Sequence, residues 1–144
     1  MEHLHQYDRD FVLWLDEQAE LLRAKDFERL DLIHLVEEIE AMSGSLKREL
    51  GSRLEVLILH LLKCEFQPER KSSSWVGTIG EQRSQIIDLL EQSPSLDRLF
   101  DEYARKRYRA AVIRAAQVTC LAEHVFPYEL PYTREQLLDW NFIP

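Results

Sequence analysis

Between Leu50 and Cys64 an apolar side chain recurs at every third or fourth position. At about 100° per residue, Leu50, Leu54, Leu57, Leu61 and Cys64 fall on one stripe of a helix. A stripe that apolar has to be covered by other elements, so the segment predicts a packed bundle and not an isolated helix. Two ionisable residues, Arg53 and His60, stand beside the stripe. A polar group aimed at a core costs free energy unless it finds a partner. The spacing therefore predicts partners on other helices.

Helical periodicity governs the rest of the chain. Only four glycines occur, prolines lie at apparent boundaries, and no segment alternates as a strand would. The predicted helices cover 8–23, 30–43, 45–66, 75–92 and 96–122. Asp8 is the expected cap of the first and Ser74 of the fourth. Gly44 is expected to end or bend the second. Gly51 weakens the third by up to ~1 kcal/mol. Thr133-Arg134-Glu135-Gln136 has the capping-box pattern and should open a short last helix. Phe11, Trp14, Leu15 and Leu22 form the expected inward face of the first helix. Leu32, Val36, Ile39 and Met42 form that of the second. The sequence thus predicts an all-α, single-domain bundle over 1–144, with about five main helices and a short carboxyl-terminal one. A chain of 144 residues can bury such a core without a disulfide or metal.

The same angular reading places charges on apolar faces. Glu40 falls between the directions of Val36 and Ile33, Glu37 falls at the edge of that arc, and Glu38 points away toward solvent. On the fourth helix Arg83 falls between Leu90 and Val76. Glu37, Glu40, Arg53, His60 and Arg83 are therefore expected to converge. His60 would act as acid or base with Glu37 or Glu40 orienting it, and Arg53 and Arg83 would bind an anion. The same five residues also suit a structural network that fixes helix register. A metal is not expected: Glu37, Glu40 and His60 are possible ligands, but no Glu-x-x-His pair is present and the arginines oppose a cation. No cofactor motif is present.

The net charge of −8 disfavours loose binding to nucleic acid or to an anionic membrane. Arg105, Lys106, Arg107, Arg109 and Arg114 make the fifth helix locally basic, and a solvated face is the expected role. Arg107 and Arg114 fall on its inward arc and are expected to pair with acids of the first or second helix. No apolar run approaches the ~20 residues that span a bilayer, and the opening residues lack a leader pattern. A cytoplasmic protein follows as the expectation, with a homodimer or another protein as candidate partner.

Two resemblances add to this reading. The Arg53-x6-His60 spacing is similar to the signature of the HEPN superfamily. There the arginine stabilises phosphate charge and the histidine assists transfer. That implies a metal-independent ribonuclease-like enzyme or a toxin–antitoxin component. Over nearly the whole chain, ordered blocks are also similar to those of domain-of-unknown-function family 29. They are Tyr7-Asp8-x-Asp10-Phe11 with Trp14, Glu37-Glu38-Ile39-Glu40, His60-Leu61-Leu62-Lys63, Ser74-Trp75, Gln82-Arg83 and Ser93-Pro94-Ser95-Leu96. This resemblance implies a bacterial, all-helical single domain and no established activity.

Overall fold

A computed structural model describes residues 2–144, with side chains from Gln6 onward. All regular structure among the described residues is helical: α1 (Glu2–Arg9), α2 (Phe11–Arg23), α3 (Leu32–Phe66), α4 (Ser73–Gln92), α5 (Phe100–Thr119) and α6 (Arg134–Leu138), with short 3-10 turns between them. The chain divides into two compact units, Met1–Ser45 and Leu46–Pro144.

In the first unit, helix is broken at Asp10. This residue leaves helical geometry, and its carboxylate accepts the Leu13 N–H at 3.0 Å. Asp10, not Asp8, is therefore the cap, and the predicted first helix is two. Helix α2 ends with Lys25 in the left-handed region (φ 57°), where the Asp26 N–H reaches the Leu21 carbonyl.

Helix α3 runs without interruption for 35 residues, about 50 Å at 1.5 Å per residue. The predicted second and third helices are one. Gly44 ends nothing, because no glycine takes the positive φ that would terminate a helix there. A helical glycine costs only ~1 kcal/mol, which packing further along the same helix offsets.

The second unit holds the hydrophobic core. Leu50, Leu54, Leu57 and Leu61 of α3 are fully buried with Cys64. They pack with Ile79, Ile86 and Leu89 of α4 and with Phe100, Ala104, Ala111 and Ala115 of α5. Ser72, not Ser74, caps α4, its hydroxyl accepting the Trp75 N–H. A 3-10 segment, Pro94–Leu99, takes the first turn expected of α5. Thr133 and Gln136 form the predicted capping box of α6. Phe142 and Ile143 pack back on the core, while Trp140 remains half exposed.

Two arginine contacts organise this unit. Arg83 of α4 is fully buried. Its Nε donates to the Leu137 carbonyl at 2.9 Å, and Nη2 donates to the Gln136 and Phe142 carbonyls at 2.9 and 2.7 Å. The guanidinium thus ties the carboxyl-terminal tail to the core. Glu55 of α3 receives Arg107 and Arg114 of α5 at 3.3 and 2.8 Å. These arginines pair within the second unit and not with acids of the amino-terminal helices. Gly51 makes room for the first of them: a Cβ there would lie 2.8 Å from Arg107 Nε.

Replacing Arg83 by Met should therefore cost about 3 kcal/mol or more, because three carbonyls lose a charged donor. Urea unfolding measures the loss, and hydrogen exchange should show the tail after Arg134 opening ahead of the core. An unchanged midpoint would mean that the tail is held by its apolar residues alone.

Candidate functional site

Asp31 stands just before α3 and does the work of its cap. Its carbonyl accepts the Leu35 N–H, and its Oδ1 faces the His34 N–H at 3.4 Å. The other carboxylate oxygen, Oδ2, accepts from Trp14 Nε1 at 3.0 Å and meets His34 Nδ1 at 2.7 Å. Gln18 closes the same turn, its Oε1 accepting the Asp31 N–H at 2.8 Å. Trp14 and Gln18 lie one turn apart on α2 and are both essentially inaccessible to solvent. Gln18 Nε2 is a buried donor with no partner.

Tyr7 of α1 completes the cluster. Its ring stacks on His34 with centroids 3.9 Å apart and meets Trp14 edge-on at 4.9 Å. Its hydroxyl donates to Glu38 Oε1 at 2.5 Å. That hydrogen bond, with burial and the charges of Glu38, Glu37 and Asp8, pushes the phenol up to about 12. Burial pushes the Asp31 carboxyl up, but the hydrogen bonds from His34 and Trp14 outweigh it and hold the group below its usual range. An ionised carboxylate only accepts, so His34 carries a proton on Nδ1. The ring is oriented by Asp31 and the Tyr7 stack, and among the described residues no hydrogen bond joins it to a serine, threonine or cysteine. The arrangement reads as a polar clamp that fixes three helices.

The five residues expected to converge do not form one group. Glu37 and Glu40 are exposed on the amino-terminal part of α3. His60 is on the later part of the same helix, in the second unit. His60 is half-buried and its Nδ1 bonds the Val56 carbonyl one turn back at 2.9 Å. Burial pushes its imidazole down, against that hydrogen bond, and the charges of Lys63 and Arg114 push the same way as burial. Arg53 pairs with Glu49 at 3.0 Å and bonds Gln82 of α4 at 3.3 Å. Arg83 points inward as expected, but its acceptors are the three tail carbonyls and not a glutamate. Glu38, expected in solvent, is the glutamate that is partly buried and bonded.

The inversion at Glu38 has a physical cause. The apolar arc of early α3 was the expected inward face, yet Val36 and Ile39 are 52% and 60% exposed, and Leu32, Ile33 and Met42 are similarly open. The side actually buried carries Asp31, His34 and Glu38, about a third of a turn away. On α2, Phe11, Leu15 and Leu22 are exposed as well. Of the large exposed apolar side chains among the described residues, most belong to this small unit. A run of exposed apolar side chains along one helix is the kind of surface that marks an interaction site.

Charge is divided as unevenly. Residues 1–45 contain 12 acidic and four basic side chains, and the remaining 99 residues contain 14 of each. The whole net charge of −8 therefore resides in the first unit. A separate cleft of about 1420 Å³ lies in the second unit, between α5 and the loop before α6. Tyr108, Phe126 and Tyr132 are among its walls, and its arginines and carboxylates balance. No group of three or more His, Cys, Asp or Glu among the described residues could hold a metal ion. No described helix is long and apolar enough to cross a membrane.

The family model described as "Domain of unknown function DUF29" matches residues 6–143, and the chain belongs to that family. No curated protein and no solved structure matches it. Two pairs of the blocks quoted above for the family meet in space: Tyr7 bonds Glu38, and Lys63 lies 4.2 Å over the Trp75 ring.

Asp31 generates a pH prediction. Its folded carboxyl titrates below the ordinary value of 3.8. Its stabilisation is complete above 3.8 and is lost as pH falls through the lower folded value. Asp31→Asn should therefore lose about 1–3 kcal/mol at pH 7 and show a flatter acid limb. Urea midpoints measured from about pH 7 down to about pH 2 test this. Parallel acid limbs in the two proteins would contradict it.

Proposed function

We propose that this DUF29 protein is an interaction module that works through the exposed apolar face of its amino-terminal unit. The observation that carries the reading is the open stripe Leu32, Val36 and Ile39 on α3, at spacing that belongs to a buried helix face. Apolar surface of this extent is a steady cost in water, at about 25 cal/mol per Å². A partner helix laid on the stripe would recover much of it, as helix-in-groove complexes do. The polar clamp of Trp14, Asp31, His34, Tyr7 and Glu38 supports the reading, because a preorganised surface loses less entropy on binding. The second unit then serves as the stable body, its core and tail closed by Arg83.

Replacing both Val36 and Ile39 by Ser should leave the unfolding free energy within about 1 kcal/mol of the parent, where buried positions would cost several times that. The parent should bind the dye ANS and the double variant much less. A benzophenone side chain placed at Leu32 should cross-link one discrete protein in cells, and that protein, purified, should bind the parent and not the double variant. Loss of fold in the variant, or equal binding by both proteins, would sink the reading.

A further inference from the structure

We infer that the partner surface is a cationic amphipathic helix, one whose apolar stripe seats on α3 and whose lysines or arginines meet the carboxylates flanking it. This rests on the docking reading above and names its chemistry. At 100° per residue, Glu40 and Glu37 stand on one edge of the Leu32, Val36 and Ile39 stripe, on the side of Ile33. Both are exposed. Along α2, Asp16 stands beside the exposed Val12 in the same way. Among the described residues, Asp16, Glu37 and Glu40 have no cationic partner, whereas Glu20 and Asp26 of the same unit pair with Arg23 and Arg29. The free carboxylates therefore lie where a partner would arrive.

The unit's charge decides between occupants. With 12 acidic and four basic residues, its field repels a second copy of itself, a nucleic acid and an anionic bilayer alike. A basic helix is attracted at long range and also covers the apolar stripe. Contact with the stripe supplies the affinity, and the edge carboxylates supply rate and selectivity. Binding should therefore be salt-sensitive without being abolished by salt.

The experiment uses the full chain and two synthetic helical peptides of roughly 18 residues, long enough to form under an apolar template. Both carry the same leucine stripe; one has a lysine and arginine polar face, the other a glutamine face. Fluorescence anisotropy should give tighter binding of the basic peptide by about tenfold or more, shrinking as salt rises from about 0.05 to 0.5 M. Glu37→Gln with Glu40→Gln should weaken the basic peptide about fivefold and leave the glutamine peptide unchanged. Val36→Ser with Ile39→Ser should abolish both. Equal binding of the two peptides at low salt overturns the inference and leaves the docking reading standing. Binding of neither overturns both. Sedimentation showing a dimer of the parent that the serine variant loses would assign the stripe to a second copy and likewise overturn the cationic partner.

Discussion

Helix α3 is the constraint on which the rest is built. It continues through Gly44 and Gly51, so one rod serves two environments. Its residues 32–45 belong to the amino-terminal unit and bury a polar arc; from Leu50 onward it buries a leucine stripe. A strict division of helices into an apolar inner and a polar outer side fails over the first stretch and holds over the second. The carboxylates of Glu37 and Glu40 stay in water because the polar arc, not theirs, is covered. The apolar side chains stay in water with them.

The two units solve the problem of buried polarity differently. In the amino-terminal unit a single carboxylate, Asp31, gathers an indole N–H, an imidazole N–H and a backbone N–H, while a neighbouring phenol donates a hydrogen bond to Glu38. The polar contacts there are directional, and among the described residues Trp14 is the one large apolar side chain it fully covers. In the carboxyl-terminal unit the polar contacts are fasteners on an apolar core. Arg83 holds the tail and Glu55 holds two arginines of α5. A small unit dominated by directional contacts keeps its shape but not its cover, which is the condition of a surface awaiting a partner.

Much of the fold was legible in the sequence, and little of the site was. The 3.6-residue period found α4 and the buried leucine stripe of α3, and local chemistry found the cap at Thr133. Gly44 misled, since a glycine ends a helix only where the backbone turns left-handed, and nothing in its neighbours demands that. Arg83 was placed inward correctly from its angle alone. Its acceptors were not foreseeable, because backbone carbonyls of a distant tail have no signature in the sequence. The glutamates were misassigned through one assumption, that an apolar arc must face the core. Asp31 with His34 three residues later, and Trp14 with Gln18 four later, were the available signs of the polar clamp. Each is too common a spacing to stand out before the structure joins them.

Gly51 has a consequence for how this sequence can vary. Its missing side chain is the seat of a guanidinium from another helix, so positions 51 and 107 are not independent. A chain that acquires a larger residue at the first must move or surrender the arginine at the second, and Glu55 would then keep Arg114 alone. Relatives of this protein should therefore exchange the two residues together, with the small side chain accompanying the long cationic one.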